Sequence, residues 1–287
     1  MALAALSGDE QRTIFSQLCN VLDPGFAVAF SSASSELRTA TQAPRQQLRA
    51  DYEAATALGR KAGRRSWSCK GLREANRVEW YLKGLSSDDL SLLGALGPVL
   101  PALERLRLVE PTAGPDGVQR LAEKLGAGAL PALARLYLKS MHVGDAGASA
   151  LAAALGRGAL PRLKFLSLTY TAIGDAGMAD LAPALRRRPA LEELYFEGNP
   201  LGDEGLTALV APPPAAAGAP PPPTGVLPKL EALGLSYTQV TDAGCATLAS
   251  TLDTGALPAL ENLYLLGTRA SDGAKASVRR GGLQLLM

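Results

Sequence analysis

A nine-residue frame, Leu-Pro-x-Leu-x-x-Leu-x-Leu, recurs along two thirds of the sequence and constrains the fold more than any other feature. The intact copies share the proline and all four leucines, and they begin at Leu100, Leu130, Leu160, Leu227 and Leu257. A further copy with two substitutions begins at Arg188. Successive frame prolines are separated by 30, 30, 28, 39 and 30 residues, so one unit carries an insertion. A fixed period of this length predicts a solenoid, in which each unit packs on the next.

Each unit contains a strand followed by a helix. The alternation Leu-x-Leu predicts a strand, and leucines four residues apart, such as Leu121 and Leu125, predict a helix. An aspartate precedes or begins each predicted helix, and we expect its carboxylate to cap the first turn of that helix. These residues are Asp116, Asp145, Asp175, Asp203, Asp242 and Asp272.

The frame, the period and the full helix resemble the leucine-rich-repeat family, in its ribonuclease-inhibitor-like subtype. The resemblance implies an α/β leucine-rich-repeat solenoid, with parallel strands on a concave face and helices on a convex face, preceded by a small helical region. The asparagine that the family places after the strand occurs here only as Asn199. We divide the chain into a helical region (1–48), a basic helical linker (49–76) and the repeat domain (77–287), with a degenerate first repeat at 77–99.

Composition excludes several classes of function. The net charge is only +2, which argues against nucleic acid as a partner. The single histidine and three scattered cysteines offer no metal site and no disulfide framework, so we expect no cofactor, no metal and no catalysis. No segment has the pattern of a membrane anchor, and we predict a cytoplasmic protein, with the nucleus as a further location.

Tyrosine is concentrated at the positions that face away from the predicted core. Five of the seven tyrosines lie there, and we interpret them as anchors for a protein or peptide partner: Tyr137, Tyr170, Tyr195, Tyr237 and Tyr264. Arg107, Lys139 and Glu197 lie beside them and are predicted to orient that partner. The alternative is that these tyrosines reflect only the preference of the residue for strands.

Residues 6–38 read as a short helix, a turn at Asp23-Pro24 and a second helix from about Gly25. The spacing resembles an F-box, whose family docks on the small adaptor of a cullin-based ubiquitin ligase. The resemblance implies docking through Ile14, Phe15 and Leu18, and it makes the repeats a substrate receptor. The alternative is a helical cap packed on the first repeat.

Two further interpretations remain open for the whole chain. Ran-type GTPase activators share the repeat subtype, although their acidic C-terminal tract is replaced here by Arg279-Arg280-Gly281-Gly282. The other interpretation is a plain scaffold or sensor protein with no further activity. The Pro-rich insertion at 211–224 is predicted to be a surface loop, with a ligand for a proline-binding domain as the alternative.

Overall fold

The computed structural model describes residues 6–61, 69–210, 227–279 and 281–287. The Pro-rich insertion at 211–224 lies outside these residues. Within the described ranges, no helix combines the length and the apolar composition that a membrane crossing requires.

Eight strands form one parallel sheet in which each strand pairs with the next one along the chain. They are β1 (Arg77–Tyr81), β2 (Arg105–Val109), β3 (Arg135–Leu138), β4 (Phe165–Ser167), β5 (Glu193–Tyr195), β6 (Ala232–Gly234), β7 (Asn262–Tyr264) and β8 (Gln284–Leu286). The register aligns equivalent frame positions, so that Leu106 pairs with Leu136 and Leu136 with Leu166. The predicted α/β solenoid is confirmed. Its sheet also includes a strand on each side of the six frame copies, at β1 and β8.

Twelve α-helices accompany the strands in the described ranges. They are α1 (Gly8–Leu18), α2 (Gly25–Ser32), α3 (Ser35–Ala40), α4 (Gln42–Lys61), α5 (Cys69–Glu74), α6 (Ser87–Ala95), α7 (Gly117–Lys124), α8 (Gly144–Gly156), α9 (Asp175–Arg186), α10 (Asp203–Val210), α11 (Asp242–Asp253) and α12 (Asp272–Ser277). From α6 onward each helix follows a strand and packs on the next helix. Packed helices need about 8–10 Å and paired strands about 4.8 Å, which puts the sheet on the inside of the curve.

The core lies between the sheet and the helices. In β2, Leu106 and Leu108 are buried, whereas Arg105 and Arg107 alternate with them on the open face of the sheet. The main buried cluster continues into the N-terminal helices, because it includes Leu58 of α4. A separate small cluster holds α1, α2 and α3 together through Phe15, Ala27, Phe30 and Leu37. The described part of the predicted linker at 49–76 therefore packs against the end of the solenoid.

The aspartates do not cap their own helices as predicted. Asp175, Asp203 and Asp242 are already the first helical residue, and Asp116, which does occupy an N-cap position, makes no capping hydrogen bond. The carboxylates instead accept hydrogen bonds from the backbone where the next helix begins. The N–H donors and their Oδ1 acceptors are Gly174 to Asp145 (2.7 Å), Gly202 to Asp175 (2.7 Å), Thr241 to Asp203 (2.8 Å) and Ser271 to Asp242 (2.6 Å). We call these four carboxylates the aspartate ladder.

Asn199 links two repeats beneath the turns that follow their strands. Its buried Oδ1 accepts hydrogen bonds from the N–H groups of Thr171 (3.1 Å) and Ile173 (3.0 Å). Its Nδ2 donates to the carbonyl oxygens of Leu168 (2.6 Å) and Phe196 (2.8 Å). One side chain therefore pairs with four backbone groups of two neighbouring repeats.

Candidate functional site

The structure brings the predicted concave residues into one column across the sheet. The residues between the last two positions of each frame pair in register from β2 to β7, and they are Arg107, Tyr137, Ser167, Tyr195, Gly234 and Tyr264. Adjacent positions in such a column are about 4.8 Å apart, so large side chains there touch one another.

Phe165 joins the tyrosines of this column into a continuous aromatic surface. Its ring centroid lies 4.3 Å from that of Tyr137 and 5.3 Å from that of Tyr195. Phe165 was missed in the sequence, because only the residue between the last two frame leucines was considered. It lies two residues before Ser167, and the period of two along a strand puts both on the same face. That alternation is the signal that identifies it.

Gly234 lets the aromatic surface continue across a repeat that contributes no ring. The Tyr195 and Tyr264 centroids are 6.0 Å apart, although β6 lies between their strands. A Cβ atom at Gly234 would stand 2.6 Å from Cδ1 of Tyr195, which is closer than real Cβ contacts come. We call Tyr137, Phe165, Tyr195 and Tyr264 the aromatic row.

Two arginines stack on the early end of this row. The Arg107 guanidinium carbon lies 4.9 Å from the Tyr81 ring centroid and 5.6 Å from that of Tyr137. The Arg135 guanidinium carbon lies 5.5 Å from the Phe165 ring centroid. Both contacts are within the range of a cation–π interaction, which holds the guanidinium groups flat against the rings.

Seven of the eight residues predicted to bind a partner line a single open hollow. They are Arg107, Tyr137, Lys139, Tyr170, Tyr195, Glu197 and Tyr237. The eighth, Tyr264, lies outside this hollow and contacts it through the ring of Tyr195. The remaining lining residues are Phe165, Ser167 and Thr169.

Tyr170 and Tyr237 occupy a backbone conformation that disfavours their side chains. Their φ angles are 55° and 57°, which lie in the left-handed region. In the repeats that follow them, the same position is occupied by Gly198 and Gly267. Each ring lies over that next glycine, leaving no room there for a Cβ atom. The tyrosines remain 50% and 52% exposed, so burial does not compensate the strain.

A chain of polar side chains runs along the floor of the hollow. The hydroxyl groups of Ser167 and Thr169 are 2.8 Å apart, and Thr169 Oγ1 donates to Glu197 Oε2 at 3.1 Å. Burial raises the pKa of Glu197, while its hydrogen bonds and the charge of Lys139 act in the opposite direction. Burial also raises the pKa of Tyr195, helped by the hydrogen bond from its hydroxyl to Glu193 Oε2 (3.0 Å).

Charge is distributed unevenly over the open face of the sheet. Cations are concentrated on β1 to β3 and carboxylates on β5, as the sequence indicates. Some charges already pair across the boundary, since Lys164 Nζ is 2.7 Å from Glu192 Oε1 and Arg135 Nη2 is 3.9 Å from Glu193 Oε1.

The three N-terminal residues predicted to dock on an adaptor have different environments. Phe15 is only 1% exposed and packs edge-on against Phe30 at 5.8 Å, so its prediction as a contact residue needs correction. Ile14 is half-buried, and Leu18 is 57% exposed. Phe26 and Val28 of α2 are also exposed, which makes them better contact candidates than Phe15.

No group of three or more His, Cys, Asp or Glu side chains in the described ranges could hold a metal ion. The three cysteines are free thiols.

Comparison with known proteins finds similarity in the repeats. A family model described as "Leucine Rich repeat" matches residues 160–182, 189–210 and 226–249. Among curated proteins, none matches the sequence. A solved structure described as "Crystal structure of Rad7 and Elc1 complex in yeast" is similar at 17% identity and a TM-score of 0.47, covering 70% of this chain. The chain spans 44% of the length of the chain that it matches there.

Proposed function

We propose that this leucine-rich-repeat protein binds a protein partner on the concave face of its sheet and does not catalyse a reaction there. The observation that carries the proposal is the aromatic row, which is continuous over β3 to β7 on the open face of the sheet. Aromatic side chains bury much area at a low entropic cost and dominate binding hot spots. From β2 to β7 the face spans about 24 Å, which suits a peptide segment or the edge of a small domain.

The strained tyrosines support the same interpretation. A non-glycine residue in the left-handed region costs about 1–2 kcal/mol, and glycine occupies this position in two other repeats. Tyr170 and Tyr237 therefore contribute little to folding at these positions. Their exposed rings border the hollow, where a partner would cover them.

The test replaces Tyr137, Tyr195 and Tyr264 together by alanine in the full chain. Capture experiments with wild type should identify bound proteins by mass spectrometry, and the triple variant should retain less than a tenth of the specific ones. A matched control carries alanine at exposed positions of the helices, namely Glu123, Asp180 and Ser250. Unchanged capture by the tyrosine variant, with an unchanged melting temperature, would refute the proposal.

A more specific version makes the protein a substrate receptor of a cullin-based ubiquitin ligase. The F-box resemblance of residues 6–38 motivates it, and the exposed side chains of Leu18, Phe26 and Val28 supply an apolar surface on α1 and α2. Titration with the purified adaptor should give binding that Leu18→Asp and Val28→Asp abolish. Ala50→Asp, on the exposed surface of α4, is the matched control. Failure of the wild type to bind would leave these helices as a cap.

A Ran-type GTPase activator and a plain scaffold are the remaining candidates. A GTP turnover assay with a Ran-type GTPase separates them, because only an activator accelerates hydrolysis. We expect no acceleration. All of these functions belong to the reducing cytoplasm or nucleus, with which three free thiols are compatible.

A further inference from the structure

The early strands present more positive charge than they neutralise. Arg77, Arg105 and Arg135 pair in register on β1, β2 and β3, so three cations share one column on the open face. Directly opposed like charges destabilise a sheet. Arg77 has Glu79 at 2.7 Å, and Arg135 has Glu193 at 3.9 Å. Within the described ranges Arg105 forms no ion pair, so the column offers an open position to an anion.

Arg107 lies in the next column and has an unsatisfied donor. Its guanidinium is stacked between the rings of Tyr81 and Tyr137, and its buried Nε has no hydrogen-bond partner. Leaving a buried charged donor without an acceptor costs about 1–3 kcal/mol. Arg107 also lines the hollow, so a carboxylate that binds there would bring a negative charge to this guanidinium group.

Lys139 on the next strand lies on the same side of the hollow. Its side chain is exposed, and the described residues provide it with no ion pair. Glu197 is the anion whose charge interacts with it, and burial already favours the neutral form of that carboxyl group. Arg107 and Lys139 are therefore two cations beside an aromatic floor, neither of them neutralised by a neighbouring carboxylate at ion-pair distance.

We propose that the occupant of this hollow is an extended acidic peptide segment of the partner. One of its carboxylates pairs with Arg107 and Lys139, and an apolar side chain of the segment lies against Phe165 and Tyr195. This inference rests on the proposed function, because it specifies the chemistry of the partner at the same site.

The strand spacing sets the spacing of the two peptide side chains. Arg107 is on β2 and Phe165 on β4, two strands and therefore about 9.6 Å apart. A chain in the polyproline II conformation rises about 3.1 Å per residue with three residues per turn, so side chains three residues apart share one face and lie about 9.3 Å apart. Glu193 on β5 would repel a second carboxylate at the other end. The expected motif has an acidic residue about three positions from an apolar one, with no acid beyond the apolar residue.

Single-stranded nucleic acid is the competing occupant, since arginines and aromatic rings also bind it. The carboxylates on β5 argue against it. A polyanion stacked on Tyr195 would meet Glu193, whose Oε2 accepts from the Tyr195 hydroxyl at 3.0 Å. A peptide can place a single negative charge where the cations are.

The experiment selects random ten-residue displayed peptides on the full chain at low ionic strength. We expect enrichment of Asp or Glu about three positions from an aromatic or aliphatic residue. The most enriched peptide is then labelled, and its affinity is measured by fluorescence anisotropy with wild type, Arg107→Gln and Lys139→Gln. The matched control is Lys229→Gln, which removes an exposed positive charge in the turn before β6.

Arg107→Gln should weaken binding about tenfold, and Lys229→Gln should leave it unchanged. Replacing the acidic residue of the peptide by its amide should weaken binding to wild type by the same factor. The same replacement should change the affinity for Arg107→Gln little, because both changes remove one interaction. Equal melting temperatures exclude unfolding as the cause, and Lys139→Gln, at an exposed position, provides a second test if Arg107→Gln is unstable.

The other outcomes separate the two proposals. Enriched peptides that lack an acid, yet lose binding to the triple tyrosine variant, would overturn the acidic motif and leave the concave face as a binding site. Equal enrichment on wild type and on the triple variant would contradict the proposed function itself. Binding of a labelled ten-nucleotide oligothymidine that depends on Arg107 as strongly as the peptide does would overturn the peptide as occupant.

Discussion

The early repeats, residues 77–124, and the later ones, residues 144–277, share one strand register and connect neighbouring repeats differently. In the later part the aspartate ladder and Asn199 join consecutive repeats through hydrogen bonds between side chains and the backbone. In the early part Arg120 links Asp88 and Asp116 by exposed ion pairs of 2.6 Å each. There, the buried carboxylate of Glu110 accepts from the backbone of residues 83–85.

The difference shows that one strand register is kept along the sheet while the connections outside the strands vary. A carboxylate that accepts from backbone N–H groups is fixed in position by them, whereas an exposed ion pair contributes little because water screens it. In the early repeats the start of α7 is held only by exposed ion pairs, whereas the buried carboxylate of Glu110 fixes the segment before α6. The early repeats also carry most of the unneutralised cations of the open face, so the two parts contribute different chemistry to the hollow at their junction.

The largest effect is expected from Asn199→Ala. The change leaves two N–H groups and the carbonyl group of Phe196 without this partner, while the Leu168 carbonyl keeps the Thr171 hydroxyl (2.7 Å). We expect a loss of about 3–4 kcal/mol in the free energy of unfolding. Urea unfolding followed by circular dichroism measures it. Asn262→Ala, on the open face of β7, is the control and should change stability by less than about 0.5 kcal/mol. Similar losses for both would show that Asn199 does not connect the repeats.

Removing one member of the aspartate ladder should have an intermediate effect. Asp175→Ala deprives the N–H groups of Gly202 (2.7 Å) and Gly205 (2.9 Å) of their acceptor, and we expect a loss of about 2 kcal/mol. The same unfolding measurement applied to Asp116→Ala, in the early repeats, should give less than about 1 kcal/mol because its ion pair with Arg120 is exposed. Equal losses would remove the distinction between the two parts of the solenoid.

The smallest effect is a pH dependence that arises from Glu197. Burial raises its pKa above the ordinary value of 4.5, so between the two values the folded state holds more protons than the unfolded state. The free energy of unfolding therefore falls as the pH rises through this window. Glu197→Gln removes this dependence, and the variant should gain stability relative to wild type between pH 4 and pH 8, by less than about 1 kcal/mol. Thermal melts of wild type and variant at both pH values measure the gain. A difference in stability between the two proteins that is the same at pH 4 and pH 8 would contradict the prediction.

The sequence predicted the repeat, the strand positions and the tyrosine column because each follows from periodicity alone. It did not predict the contact across Gly234, because that contact depends on a ring reaching over a neighbouring strand. The predicted role of Asp175 as a cap of its own helix was wrong. The pattern places an acid near a helix start, but it does not show whether the backbone N–H groups of that helix or those of the next one donate to the carboxylate. Phe15 fits a motif by spacing, and spacing does not reveal which face of α1 packs inward.

The aspartate ladder gives the solenoid a direction. Each carboxylate accepts from the backbone at the start of the following helix. When the last repeat unfolds, the preceding carboxylate loses that N–H donor, but the preceding repeat keeps the bonds that fix its own helix start. An opening that begins in the middle instead removes the anchor of everything after it. The rate of amide hydrogen exchange should therefore fall progressively from α12 back towards α9. The binding hollow on β2 to β5 lies towards the end that opens last.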